Sequence, residues 1–257
     1  MATTRTEGQR TKGNLTFRDD NLSPAKGKSI WEDCPLLAIR SDPSVGLIWE
    51  NDFNHYATTE DGLTSTITNS GATGILASGA YGQLELQPSD GTVADNDETY
   101  VGSTTALVVP ATGKDVWFEA RVKFTEANTD DANIIVGLSS TYAANTLVDD
   151  GAGPAANYTG VVFYKVDGGT TWIGENSTTT NQTTVTGLAT RQSGSWARLG
   201  FHMESNTLIT WYINGEAVGA STTNMPAAAM GLVFGVKNGD TNEDILYVDW
   251  FRLVQLR

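Results

Sequence analysis

Carboxylates far outnumber imidazoles and thiols in this sequence: 30 Asp and Glu, against two His and one Cys. Two carboxylates on one face of a strand can share acid and base work across a bond, and alternate strand residues share a face. Glu119 is followed two positions later by Arg121 and Glu85 by Gln87, so neither has an acidic neighbour on its own face. Oxygen-rich clusters occur at Asp95-Asn96-Asp97-Glu98 and at Asp240-Thr241-Asn242-Glu243-Asp244, with a smaller one at Asp130-Asp131. Such groups suit calcium, which takes six to eight oxygen ligands, although neither larger cluster follows an EF-hand spacing; each reads first as a solvated turn. Asp167-Gly168-Gly169-Thr170-Thr171-Trp172 is a turn lock, in which the Asp accepts from turn amides and the Trp packs beneath. It occurs once, whereas a propeller would repeat it. His55 and His202 have no Ser or Cys nucleophile at a recognised spacing, and there is neither a Gly-x-Ser-x-Gly nor a P-loop. Of the seven Trp, Trp117, Trp196, Trp211 and Trp250 fall on or beside strand-like segments and read as core. Trp172, next to a turn, is the candidate for stacking on a glycan. Cys34 reads as a plain buried residue.

Composition bounds the rest. With 257 residues and 39% apolar side chains the chain can bury a sizeable core. No apolar run approaches the length of a membrane helix, and the opening residues lack the apolar stretch of a secretory signal. One cysteine excludes an intramolecular disulfide framework and a multi-thiolate metal site. Charge is divided unevenly: residues 1–28 carry six basic and three acidic side chains, the remainder 10 basic and 27 acidic. The acidic body is expected to repel nucleic acid and anionic membrane.

Two regions follow. Residues 1–44 are polar and Gly/Pro-punctuated, with spaced apolar groups at Leu15–Phe17, Ile30-Trp31 and Leu36-Leu37–Ile39. They read as an extended arm ordered by lying along a partner or along its own domain; its candidate contacts are Arg5, Arg10, Lys12, Phe17, Arg18, Ile30, Trp31, Leu36 and Leu37. Residues 45–257 read as β. In 115–124, Val116, Phe118, Ala120, Val122 and Phe124 alternate with Trp117, Glu119, Arg121 and Lys123, the period of a strand with one buried face. Ala197, Leu199, Phe201 and Met203 alternate in the same way. Residues 245–254 are apolar on both faces, as an inner strand requires. Asn214-Gly215 fits a type I′ hairpin turn. The Thr/Asn-rich stretch 176–187 reads as an edge strand or a loop. Helical periodicity is nearly absent, with a turn or two expected near Tyr142–Val148. About a dozen strands with so little helix predict a two-sheet antiparallel jelly-roll sandwich.

The order of Gly46-Leu47-Ile48-Trp49, Val116-Trp117-Phe118-Glu119, Val136-Gly137-Leu138, Ser195-Trp196-Ala197-Arg198-Leu199, Trp211-Tyr212-Ile213-Asn214-Gly215 and the closing Val248-Asp249-Trp250-Phe251 resembles the concanavalin A-like lectin/glucanase jelly roll, including laminin-G-like domains. The resemblance implies a final strand that returns to pair with the first, and in many relatives a calcium ion. The acidic strand motif of the family's glucanases is missing. A narrower resemblance, carried by Lys114–Phe124, Asp149–Pro154, Val162–Thr170 and Phe234–Gly239, is to jelly-roll proteins of tailed-bacteriophage particles. It implies a non-enzymatic virion structural protein: a capsid decoration or cement subunit bound to the major capsid or another virion protein, self-associating, and without nucleic-acid or membrane contacts. The alternative is a carbohydrate-binding module of a fibre or spike that recognises host glycans. A third reading is a glycan hydrolase or lyase with an unrecognised carboxylate pair.

Overall fold

In a computed structural model, residues 7–11, 14–18, 30–57, 62–68, 71–75, 81–89, 91–190 and 193–257 are described. The leading strands β1 (Glu7–Thr11) and β2 (Asn14–Arg18) pair as an antiparallel hairpin. A short helix α1 (Leu36–Ser41) precedes β3 (Gly46–Asn51). There follow β4 (Leu63–Ile67), β5 (Ala72–Ile75), β6 (Leu84–Gln87), β7 (Glu98–Ser103), β8 (Val116–Thr125) and β9 (Asn133–Ser139). A loop with one 3-10 turn at Asp149–Gly151 leads to β10 (Thr159–Lys165), β11 (Thr171–Thr178) and β12 (Gln182–Thr190). The chain continues through β13 (Ala197–Glu204), β14 (Leu208–Ile213), β15 (Glu216–Ser221), β16 (Gly231–Lys237) and β17 (Ile245–Leu256).

Two antiparallel sheets face each other. One has the order β12-β11-β10-β9-β16-β7-β4; the other runs β15-β14-β13-β8-β17-β6-β5, with β3 also on β17. Strand β17 pairs along one side with β8 and along the other first with β6 and then with β3. The pairing of β3 with β17, as the resemblance implies, joins Gly46 to Leu256. The alternation read in β8 is realised: Val116, Phe118, Ala120, Val122 and Phe124 enter the core between the sheets, while Trp117 and Glu119 lie on the opposite face. Ala197, Leu199, Phe201 and Met203 likewise face the core. Each fully buried aliphatic or aromatic side chain there stabilises the fold by about 1.5–3 kcal/mol. The β14–β15 turn uses Asn214 (φ 54°) and Gly215 (φ 84°), the left-handed pair that matches strand twist. The Thr-rich stretch forms the paired ends of β11 and β12, with β12 on the sheet edge.

Four expectations need correction. Residues 30–44 are not extended, and of the two courses open to the arm they take the one along their own domain: α1 and its approach pack on the eight-stranded sheet, where Ile30, Cys34 and Ile39 join Trp117, Tyr212 and Val254 in a second apolar cluster. The turns expected near Tyr142–Val148 form, at 144–145 and in the 3-10 turn Asp149–Gly151 that follows, but helix also forms where none was expected, at Leu36–Ser41. Trp172 is 2% exposed, because it starts β11 on the inward face and meets Phe124 edge-on at 5.8 Å. The acidic cluster at 95–98 is not a solvated turn throughout, since Asp97 and Glu98 are buried.

Candidate functional site

The outer face of the seven-stranded sheet is covered by the chain itself. Tyr100, Ile135, Val162, Tyr164 and Val233 rise from β7, β9, β10 and β16, and the loop between β9 and β10 lays Leu147 and Tyr158 over them, with Tyr142 alongside. Glycine makes the ring contacts possible. A Cβ at Gly160 would lie 2.6 Å from Tyr158 Cε2, and one at Gly102 would lie 2.5 Å from Tyr142 Cε1.

Two buried glutamates anchor the cover. Glu98 accepts from the Tyr100 hydroxyl at 2.8 Å and from the Asn145 amide at 2.8 Å. Lys237 Nζ, fully enclosed, lies 3.4 Å from Glu98 Oε2, donates to Asn145 Oδ1 at 2.8 Å and to the Leu147 carbonyl at 3.0 Å, and pairs with Asp149. Glu175 accepts from Tyr158 at 2.8 Å and Thr184 at 3.0 Å. Burial, reinforced by these glutamates, pushes the Tyr100 and Tyr158 hydroxyls well above the usual phenol range and Tyr164 to about 12. All three phenols therefore stay protonated at neutral pH, and Tyr100 and Tyr158 donate to the carboxylates. Burial raises the Glu175 carboxyl, an effect the Tyr158 and Thr184 donors oppose. Between loop and sheet a depression of about 150 Å³ remains, lined by Ile135, Ser139, Asn145, Pro154 and Tyr158 among others. The sequence singled out none of these tyrosines. The signal available was the set of glycines Gly102, Gly160 and Gly235 on strands of one sheet, which leave room for the rings of Tyr142, Tyr158 and Tyr100.

The outer face of the eight-stranded sheet divides in two. Under residues 30–45, the Trp31 indole donates to the buried Glu119 at 2.6 Å, and the Arg252 guanidinium lies 5.3 Å from the Trp31 ring. Arg252 and Arg40 both pair with Glu50. Burial raises the Glu119 carboxyl, opposed by Trp31 and Arg198. Beyond the strap a half-exposed row crosses the strands: Arg121 lies 4.5 Å from the Trp196 ring, and Lys123 sits 5.0 Å from Trp196 and 4.3 Å from Tyr247. Asp249 pairs with Arg121.

Of the proposed arm contacts, Ile30 is 2% exposed and thus spent on its own domain, where its side chain fills the space over Gly200. Trp31 and Leu36 also pack into this cluster, partly buried, while Leu37 is 44% exposed. Arg5 and Lys12, with the side chains of Arg10, Phe17 and Arg18, lie outside the described residues. Trp172, in the core, is not available to a glycan. His202 is buried and stacks on Trp117 at 4.6 Å.

No family model matches the sequence, and no curated protein matches it. Solved structures do. An endo-β-1,4-glucuronan lyase from the fungus Trichoderma reesei aligns with a TM-score of 0.56 at 10% identity, over 81% of this chain and 94% of its own. The β-glucanase of Bacillus licheniformis gives 0.54 at 16% identity, over 80% and 97%, and peanut lectin gives 0.53 at 11%, over 82% and 98%. The fold is the concanavalin A-like lectin/glucanase jelly roll. Lyase, glucanase and lectin share this jelly roll, so it marks no single activity; function lies in the sites grafted on it.

Proposed function

We propose that the protein is a non-catalytic jelly-roll subunit of a tailed-phage particle, a decoration or cement protein attached by its leading segment. The observation that carries this reading is the docking of Ile30–Ile39 on the eight-stranded sheet. It delivers the basic residues 1–28 from a fixed point on an otherwise acidic body. Weak contacts spread along such a segment gain strength when a shell repeats the same surface many times. The filling of the opposite sheet face by the chain's own loop, with Glu98 and Glu175 held by tyrosine hydroxyls, favours architecture over turnover. The test is removal of residues 1–28. The truncated protein is expected to keep its circular dichroism and thermal transition but to lose co-sedimentation with particles that lack the subunit. Full decoration by the truncated protein would refute the reading.

A second reading, glycan binding, is favoured by the half-exposed row of Trp196, Arg121, Lys123 and Tyr247. Aromatic faces stack on sugar rings and the cations suit acidic glycans. Glycan-array binding that disappears in Trp196→Ala supports it, and a blank array counts against it.

A further inference from the structure

Among the described residues two lysines are fully enclosed, Lys165 and Lys237. Burying an ammonium is costly unless carboxylates and hydrogen-bond acceptors surround it. Lys165 meets that need with Glu126 at 2.8 Å and the carbonyls of Asp130, Ala132 and Val166. Lys237 differs, because one of its acceptors is a side-chain amide. Its Nζ donates to Asn145 Oδ1 at 2.8 Å, beside the Leu147 carbonyl and the Asp149 carboxylate. Glu98 stands opposite Lys237 in the β7–β16 ladder, with Oε2 3.4 Å from Nζ.

An amine, an amide carbon and a carboxylate thus meet in one place. With a C=O bond of about 1.2 Å, Asn145 Cγ lies about 3–4 Å from Nζ, and reacting atoms held about 3–3.5 Å apart are within range of attack. The partners are held by their surroundings. The Asn145 main-chain N–H donates to Glu98 Oε1 at 2.8 Å, and the Tyr100 hydroxyl donates to Glu98 Oε2 at 2.8 Å. Asn145 itself is exposed and lines the depression of about 150 Å³ under the loop, which gives ammonia a way out.

We propose that Lys237 and Asn145 become joined by an isopeptide bond, with Glu98 carrying the proton. Glu98 takes one proton from the Lys237 ammonium. The electron pair of the freed amine attacks Asn145 Cγ and forms the new C–N bond. The bond from Cγ to Nδ2 then breaks. The leaving nitrogen takes one proton from Nζ and the proton held by Glu98, and departs as ammonium. Glu98 ends as the carboxylate it began as, and neither oxidant nor cofactor is consumed. The chain becomes lighter by about 17 Da, the mass of ammonia. The joined residues lie 92 positions apart. The bond pins the β9–β10 loop to β16 and restricts the unfolded chain as a disulfide does. It belongs to the folded body and does not depend on the role of the leading segment.

The test is the intact mass of the full chain under denaturing conditions, followed by peptide mapping. The wild type is expected about 17 Da below its sequence mass, with residues 145 and 237 in one branched peptide and the Lys165 peptide unbranched. Asn145→Ala, Lys237→Arg and Glu98→Gln are each expected to show their full sequence mass. Asn145→Ala is also expected to melt about 10 °C below the wild type. A wild type of full mass overturns the proposal, and this measurement needs no variant to fold. A loss of ammonia that persists in Lys237→Arg, as a cyclised asparagine would give, overturns it as well. Complete bond formation in Glu98→Gln overturns the part assigned to Glu98.

Discussion

His202 is held in the uncharged state by its surroundings. Its ring stacks on Trp117 at an interplanar angle of 11°, and burial pulls its pKa below the ordinary 6.5. Glu204, Asp115 and Asp33 pull the other way without reversing the effect. The unfolded chain therefore takes up a proton as pH falls through about 6.5, before the folded chain does. Stability contributed by the neutral ring is full above that pH and declines below it until the folded ring titrates. Urea unfolding at pH 7.5 and pH 5.5 should show this decline in the wild type and a smaller one in His202→Gln. A histidine NMR titration with a midpoint at or above 6.5 would contradict the account.

At the scale of the element, the strap over residues 30–45 carries the sharpest expectation. Deleting residues 1–44 uncovers Trp117, Tyr212 and Val254 along with the buried Glu119. That loss should cost about 4 kcal/mol or more and make the protein bind a hydrophobic dye, whereas deleting residues 1–28 leaves the same cluster closed. Equal unfolding midpoints for the two truncations would remove the strap's structural role. The sequence betrayed little of this element. Period two marks β8 and β13 because each has one apolar face, and Asn214-Gly215 marks its turn by backbone conformation alone. Ile30, Cys34 and Ile39, by contrast, meet one surface from irregular backbone and a six-residue helix whose N-cap, Pro35, makes no side-chain hydrogen bond. Nothing periodic records that arrangement; the sheet beneath holds the helix in place. The tyrosine cover on the other sheet is equally hidden, since Tyr158 meets Glu175 only by bringing the β9–β10 loop against β11, and Tyr100 meets Leu147 only by bringing that loop against β7. Proximity to a turn does not expose Trp172, because its place in β11 decides which way it points.

Taken as a whole, the molecule carries a formal net charge of −14. Self-repulsion on this scale destabilises the compact state and is relieved by counter-ions. Thermal midpoints should rise by about 2–5 °C between about 20 mM and about 500 mM NaCl, the reverse of what attractive surface pairs would give. A falling midpoint would mean that pairs such as Arg252–Glu50 and Arg121–Asp249 outweigh the repulsion.

The pairing of Gly46 with Leu256 also bears on how the protein is made. Synthesis runs from one end, so β3 and β8 emerge from the ribosome long before the strand that must lie between them. Until β17 arrives, the eight-stranded sheet has a gap at its centre with bare hydrogen-bonding edges on either side. Newly made chains must wait in that open condition, and contacts spanning so much sequence form slowly. Stalled or prematurely terminated products would keep those edges exposed, a standing invitation to aggregate.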